Sequence, residues 1–288
     1  MGNVYDAMRK HEREEAGKGP PDPPAAPTEP QPQPTATTTD TSVLRRPYQP
    51  RIGTNGYAPE LVAYCNRGGR LAEEYRALRT NLLAQYEHDR FCTLVTSAEA
   101  GEGKTITCLN LGFVLSELPD HRTIVVDCDL HKGSMHRLMG MPIEPGVADV
   151  LRGQATLDEV VRSTTCENLF VIPSGKVDQD EVGHLLSRPE LEELIRILRR
   201  DYDYVLLDTP PIRVAGSMRR YGRSISYSTA GILGRTAKDA ILVIRMNKTR
   251  RESIEAAIRQ LASANVRAVG VVLTHQRHHI PEFLYRMF

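Results

Sequence analysis

The sequence predicts an α/β fold in which a mostly parallel, twisted sheet is flanked by helices. Three observations predict it. Six apolar runs rich in Val, Ile and Leu fall at 91–96, 122–128, 168–172, 203–208, 240–246 and 268–274. Continuous runs of this kind mark strands covered on both faces. Helical stretches follow most of them, and polar motifs stand at their carboxyl ends, where open parallel sheets hold ligands.

The bounds agree. A chain of 288 residues, 40% of them hydrophobic, has material for one domain of roughly 200 to 230 residues plus a tail. Lys and Arg total 37 against 36 Asp and Glu, so overall charge gives no reason to expect nucleic acid or an anionic membrane as the main partner. The five cysteines are odd in number and widely spaced, unlike a disulfide framework, which points to a reducing cytoplasm. No run reaches the about 18 apolar residues that span a bilayer, and no apolar core of a secretory signal opens the chain. Membrane association is therefore expected through a partner.

Three segments follow in order. Residues 1–16 hold a short helix at 4–14, with Val4, Ala7, Met8 and His11 at helical spacing; a docking helix and a frayed surface helix both fit, since isolated helices below about 12 residues are marginal. Residues 17–58 read as an extended, disordered linker. Eight prolines lie between Pro20 and Pro34, and a Thr-rich run follows. Its P-x-x-P content suits a plain spacer or an SH3-like partner. Residues 59–288 form the domain. It opens with a helix from about Arg70 to Tyr86, whose Leu71, Tyr75, Leu78, Leu82 and Leu83 share a face.

After the first strand stands Ser97-Ala-Glu-Ala-Gly-Glu-Gly-Lys-Thr105. The phosphate-loop pattern is G-x-x-x-x-G-K-[ST], and here only its first glycine is replaced, by Ala98. A strand ahead and a helix behind supply the required context. Backbone N–H groups from Ala98, Glu99, Ala100, Gly101, Glu102, Gly103, Lys104, Thr105 and Ile106 would cradle phosphates at a helix N-terminus. Lys104 would reach the terminal phosphates and the Thr105 hydroxyl would ligate Mg²⁺. Two further strands end in carboxylates: Thr123-Ile-Val-Val-Asp127-Cys-Asp129 and Tyr204-Val-Leu-Leu-Asp208. Alone, each aspartate serves equally as a helix cap or turn former. Three of them at strand ends beside one phosphate loop point to metal binding and catalysis.

Thr96–Thr105, Val125–Leu130 with Ser134–Gly140, Gly146–Gly153, Val171–Gly175 and Tyr202–Pro211 together resemble the bacterial tyrosine kinases, the CpsD/CapB-like cytoplasmic autokinases of exopolysaccharide and capsule export. The resemblance covers about residue 61 to the C-terminus. It implies a P-loop NTPase fold of the MinD/ParA kind and ATP with Mg²⁺ as cofactors. It implies that Lys104 and Thr105 bind ATP and metal, that Asp129 and Asp208 help hold the metal, and that Asp127 accepts the proton of a tyrosine hydroxyl. Glu73, Arg76 and Arg79 match the family's E-x-x-R-x-x-R element, which implies self-association into a homo-oligomeric ring; their spacing makes a charged stripe on one helix face, for which a solvated surface is the plainer reading. A transmembrane polysaccharide co-polymerase or activator is the implied partner, at the inner face of the membrane, with no nucleic acid and no membrane span of the chain's own.

Several positions depart from the family. His131, followed by Lys132, stands where relatives carry arginine, and the usual Asn-Pro before a Leu-Leu pair is absent from Val177–Leu186. A polar insertion of about 213–229, with Arg213, Arg219, Arg220 and Arg223, replaces the expected Ser-Asp-Ala; it reads as a flexible segment beside the active site. The C-terminal tail holds one tyrosine, Tyr285, as the candidate phospho-acceptor, while Phe283, Leu284, Met287 and Phe288 equally suit packing on the domain. Tyr5, Tyr48 and Tyr57 are the other flexible candidates. His275, His278 and His279 lack the spacing of a zinc site. Two alternatives stay open: a ParA/MinD-like ATPase switch, against which the absence of a signature lysine at Ser97 or Ala98 counts, and a catalytically impaired, nucleotide-binding adaptor of the export machinery.

Overall fold

In the computed structural model of the chain, the described residues are 56–86, 90–212, 232–234 and 236–276. Among them lies one seven-stranded sheet. Its strands are β1 (Phe91–Ser97), β2 (Thr123–Asp127), β3 (Arg162–Ser163), β4 (Leu169–Ile172), β5 (Tyr204–Asp208), β6 (Asp239–Arg245) and β7 (Arg267–Thr274). They lie in the order β3-β4-β2-β5-β1-β6-β7. All neighbouring pairs are parallel except β3 with β4. The six predicted strands are present to within a residue or so of their expected ends. β3 was not predicted, because two residues carry no periodicity to read.

The sheet places β5 between β1 and β2, so Asp208 is the register partner of both Val95 and Asp127. Chain order and spatial order diverge here, and the carboxyl ends of these three strands open one crevice.

One face of the sheet carries α1 (Val62–Cys65), α2 (Arg70–Leu83) and α3 (Lys104–Leu115). Helix α3 is apolar almost all round, from Cys108 and Leu109 to Val114 and Leu115, and ten of its residues are buried. Such a helix is stable only where it is covered on every side, and α2 covers it from above while Val125, Leu169 and Leu206 lie beneath Gly112. The approach there is tight: a Cβ at Gly112 would stand 2.6 Å from Val125 Cγ2.

The opposite face carries α5 (Val147–Arg152), α7 (Val182–Leu186), α8 (Pro189–Asp201) and α9 (Arg251–Ser263) over the β1, β2, β5 and β6 side chains of that face. Helix α8 follows local rules closely. Proline opens it, Glu190 and Glu192 sit in its first turn, Arg199 and Arg200 in its last. Leu191, Leu194, Ile195 and Leu198 form its buried stripe, each worth about 1.5–3 kcal/mol of transfer free energy. The short helices α4 (Met135–Leu138) and α6 (Leu157–Val160) cap the connections.

Two expectations change. Tyr57 and Ala58, placed at the end of the linker, belong to the core, at 6% and 0% exposure. The Tyr57 ring meets Tyr64 edge-on at 4.8 Å and Phe113 at 5.7 Å, and its hydroxyl accepts hydrogen bonds from Thr165 N at 3.0 Å and Oγ1 at 3.1 Å. Packing thus begins before residue 59, and Tyr57 is no flexible acceptor. The charged stripe of α2 is also not a free face. Arg76 bridges Glu73 and Glu117, Arg79 bridges Glu117 and donates to the Val114 carbonyl, and the two arginine side chains are 23% and 16% exposed. The predicted helix at 4–14, the insertion at 213–229, Tyr5, Tyr48, Tyr285, His278 and His279 lie outside the described residues.

Candidate active site

The crevice at the ends of β1, β2 and β5 is built from the phosphate-loop candidate and the three aspartates. Gly101 and Gly103 have φ of 80° and 91°, a region that favours glycine. Gly103 is the residue before α3, so the loop turns in left-handed geometry straight into the helix N-terminus. Nothing lies within 4 Å of a Cβ built at Gly101. The loop backbone is open to an approaching group there.

Lys104 and Thr105, the first residues of α3, point into the acidic cluster. Lys104 Nζ donates to Asp129 Oδ2 at 2.8 Å and lies 3.7 Å from Asp208 Oδ1. The Thr105 hydroxyl donates to Asp208 Oδ2 at 2.6 Å. Asp127 accepts from two backbone amides, Asp129 N and Met135 N, both at 3.2 Å, which fixes its carboxylate at the tip of β2. Asp129 holds its own turn through Lys132 N at 3.2 Å. Asp127 and Asp208 are 0% exposed and Asp129 is 5% exposed.

This concentration of charge away from water perturbs Asp127, Asp208 and Lys104. Burial raises Asp127 well above the ordinary carboxylate range, and the charges of Asp208 and Asp129 add to it. Burial raises Asp208 too, against the pull of Lys104 and the Thr105 hydroxyl. Burial alone would lower the Lys104 ammonium, but Asp208 and Asp129 outweigh it and hold it raised. Perturbed groups clustered in a cleft are the signature of a functional site.

The arrangement fits a hard divalent cation beside a polyphosphate. Among the described side chains, Asp208 Oδ1 is buried without a hydrogen-bond partner; the 3.7 Å separation from Lys104 is an electrostatic contact, too long for a hydrogen bond. An orphaned carboxylate oxygen next to a threonine hydroxyl is the oxygen-donor set that Mg²⁺ takes. No three His, Cys, Asp or Glu side chains among the described residues converge as a ready-made metal cage. That suits an ion that draws most of its ligands from water and phosphate.

The sequence-predicted residues therefore divide. Lys104, Thr105, Asp127, Asp129 and Asp208 come together. The side chains of Glu99 and Glu102 do not join them; Glu102 bonds to Thr249 and Glu99 to Ser253, and the Glu99 amide is itself taken by Glu102 Oε2 at 2.9 Å, so the expected cradle loses that donor. Glu73, Arg76 and Arg79 stand at the far end of α3, beside Glu117. Ser134 was missed: its hydroxyl lies 3.4 Å from Thr105 Oγ1, and a lone serine after a glycine gives no signal in sequence. His131 pairs with Gln179, Nδ1 to Oε1 at 3.1 Å, and Gln179 Nε2 donates to the His131 carbonyl at 3.0 Å. The arginine that relatives carry there is thus replaced by a side-chain latch, while Lys132 stands exposed.

Known proteins share the sequence pattern and the fold. A family model described as an AAA domain matches residues 94–218. The tyrosine-protein kinase YwqD of Bacillus subtilis (strain 168) is 28% identical over 207 residues, covering 72% of this chain and 81% of that protein. The tyrosine-protein kinase wzc of Salmonella typhimurium is 29% identical over 215 residues, covering 74% of this chain. The kinase domain of Escherichia coli tyrosine kinase ETK superposes with a TM-score of 0.67 at 26% identity, over 77% of this chain and 82% of that one. The chain is similar in sequence and fold to the bacterial tyrosine kinases. It spans 28% of the length of wzc. The family's sheet is also that of P-loop ATPases: MinD of Pyrococcus horikoshii, solved with Mg-ADP, superposes with a TM-score of 0.52 at 26% identity over 69% of this chain.

Proposed function

We propose that this chain is an ATP-dependent protein-tyrosine kinase that phosphorylates itself or its neighbours and regulates exopolysaccharide or capsule export. The observation that carries the reading is the convergence of Lys104, Thr105, Asp127, Asp129 and Asp208 at the N-terminus of one buried helix.

The residues divide the work as follows. The amides of 98–106, that of Glu99 excepted, and the N-terminus of α3 hold the phosphates. Lys104, freed from Asp129 by a nucleotide, neutralises charge on the terminal phosphoryl group. Thr105, Asp208 and Asp129 hold Mg²⁺, directly or through its water shell, and the ion when bound neutralises developing charge on the phosphate oxygens. Asp127, with its raised proton affinity, receives the proton of the tyrosine hydroxyl. A loose transition state asks for positioning and neutralisation more than for a strong base. Asp127 is fixed by two amides and the Lys104 end by a buried helix, so both are preorganised.

The same reading extends to organisation. Residues 1–16 serve as a docking segment, the stretch from 17 to just before Tyr57 as linker and the remainder as the kinase domain; a transmembrane activator recruits the chain to the inner face of the membrane. Among the described residues, no helix is long and apolar enough to cross a membrane, which is in keeping with recruitment by a partner. Glu73, Arg76 and Arg79 support self-association, and Tyr285 is the acceptor on the tail.

The MinD likeness favours a second reading, an ATPase switch without transfer. Incubation of the purified chain with Mg-ATP, followed by a phosphotyrosine blot and phosphopeptide mass spectrometry, separates the two. Phosphotyrosine on this chain is the expected outcome. Phosphate release without labelling would establish the switch, and nucleotide binding with neither would leave an adaptor.

A further inference from the structure

Two of the residues that line a would-be phosphate cradle, Glu99 and Glu102, are acidic, and a polyphosphate repels both. Their side chains are used elsewhere. Glu102 is 2% exposed. Its Oε1 accepts the Thr249 hydroxyl and lies 3.5 Å from the Arg245 amide nitrogen, which also bonds Thr249 Oγ1 at 3.2 Å. Its Oε2 accepts the Glu99 amide at 2.9 Å. The Glu102 carbonyl accepts the Thr274 hydroxyl at 2.7 Å, and the Thr274 methyl stands 3.6 Å from a Cβ built at Gly103. Glu99 in turn accepts the Ser253 hydroxyl at 3.0 Å.

Each of these partners lies on the β6–α9–β7 segment, 143 to 172 residues further along the chain than Glu102. Glu99 and Glu102 thus tie their part of the loop to the β6–β7 side of the sheet, while Lys104 and Thr105 reach the aspartates. A carboxylate is the group that suits the position. It accepts at both oxygens, whereas a carboxamide would have to turn an NH₂ toward either the Glu99 amide or the Thr249 hydroxyl. Burial with several donors also keeps the negative charge away from the bound phosphates.

We propose that Glu102 is a positioning residue: through Thr249 it clasps the phosphate loop to the β6–α9 connection and holds the loop amides in the geometry that receives a nucleoside triphosphate. The inference rests on the nucleotide reading of the site and adds to it a determinant of affinity outside the acidic cluster. With the clasp open, the loop samples other conformations, and nucleotide binding bears the cost of closing it.

The test is calorimetric titration of Mg-ATP into the full chain and into Glu102→Gln, Thr249→Val, Thr249→Ser and the Glu102→Gln/Thr249→Val double variant, with thermal unfolding of each in the absence of nucleotide. A hydrogen bond to a charged group predicts weakening of about tenfold or more for Glu102→Gln and Thr249→Val. Thr249→Ser keeps the hydroxyl and restores affinity to within about twofold, and the double variant is no weaker than Glu102→Gln, since the two residues act through one contact. At saturating nucleotide the labelling rate of Thr249→Val returns to that of the parent, because Thr249 touches no reacting atom. Unchanged affinity in both single variants overturns the proposal, as does weakening that tracks a fallen unfolding midpoint and is not restored by serine. Should Glu102→Gln not fold, Thr249→Val against Thr249→Ser decides alone. A parent chain that binds no nucleotide overturns the proposed function itself, and this inference with it.

Discussion

Lys104→Met offers a test of the acidic cluster that needs no substrate. Among the described residues, the lysine is the one cation paired with Asp129 and Asp208, at 2.8 and 3.7 Å, and both carboxylates are buried. Removing one partner of a buried pair costs about 3–5 kcal/mol when the remaining charge stays ionised. The carboxylate has a way out, which is to take up a proton. From an unfolded pKa near 3.9, that costs about 4 kcal/mol at pH 7 and about 1.5 kcal/mol at pH 5. Protonation therefore caps the penalty, and the cap falls with pH. The sign follows from linkage: a carboxyl whose folded pKa lies above its unfolded one favours the fold while protonated, and the advantage is lost as pH rises through the folded value. Urea unfolding of the parent and Lys104→Met, with chelator and without nucleotide, should show a loss of about 3–4 kcal/mol at pH 7 and of about 1–1.5 kcal/mol at pH 5. An equal loss at both pH values, or a variant as stable as the parent at pH 7, would refute the claim that Lys104 neutralises buried carboxylates.

Three further outcomes are expected. Asp127→Asn should retain Mg-ATP binding in calorimetry while phosphotyrosine labelling falls by about 100-fold or more, the usual share of a positioned base. Gly112→Ala should lower stability by about 1–3 kcal/mol in chemical denaturation, because the added methyl meets Val125 at 2.6 Å and Leu169 at 3.3 Å. Glu117 is held below the usual carboxylate range, chiefly by its hydrogen bond to Arg76, so its contribution is present above the unfolded pKa and lost as pH falls through the folded one; the stability gap between the parent and Glu117→Gln should be open at pH 7, closed near pH 3, and narrowed by salt.

Much of this architecture is written locally. The Val- and Leu-rich runs that became β1, β2, β5 and β6 are buried throughout or nearly so, and a run that must be apolar on both faces declares itself without reference to its neighbours. The phosphate loop is equally local, since Gly101, Gly103, Lys104 and Thr105 act within one turn. What the sequence could not disclose was pairing across distance. Arg76 reads as a surface charge until Glu117, 41 residues on, is brought against it. Glu102 reads as part of a phosphate cradle until Thr249 arrives. Tyr57 reads as part of a Pro-rich linker because its partners Phe113 and Thr165 lie in other elements. In each case the residue type was visible and its partner was not.

Helix α3 joins two places that look unrelated in sequence. Its first residue is Lys104 and its last carbonyls lie beside Arg79, about 18 Å away at 1.5 Å per residue. Because it is walled in by close packing along its length, it has little freedom to bend and behaves as a push-rod. The Arg76 and Arg79 pairs with Glu117 and the Lys104 pair with Asp129 are therefore anchored at the two ends of one rigid element.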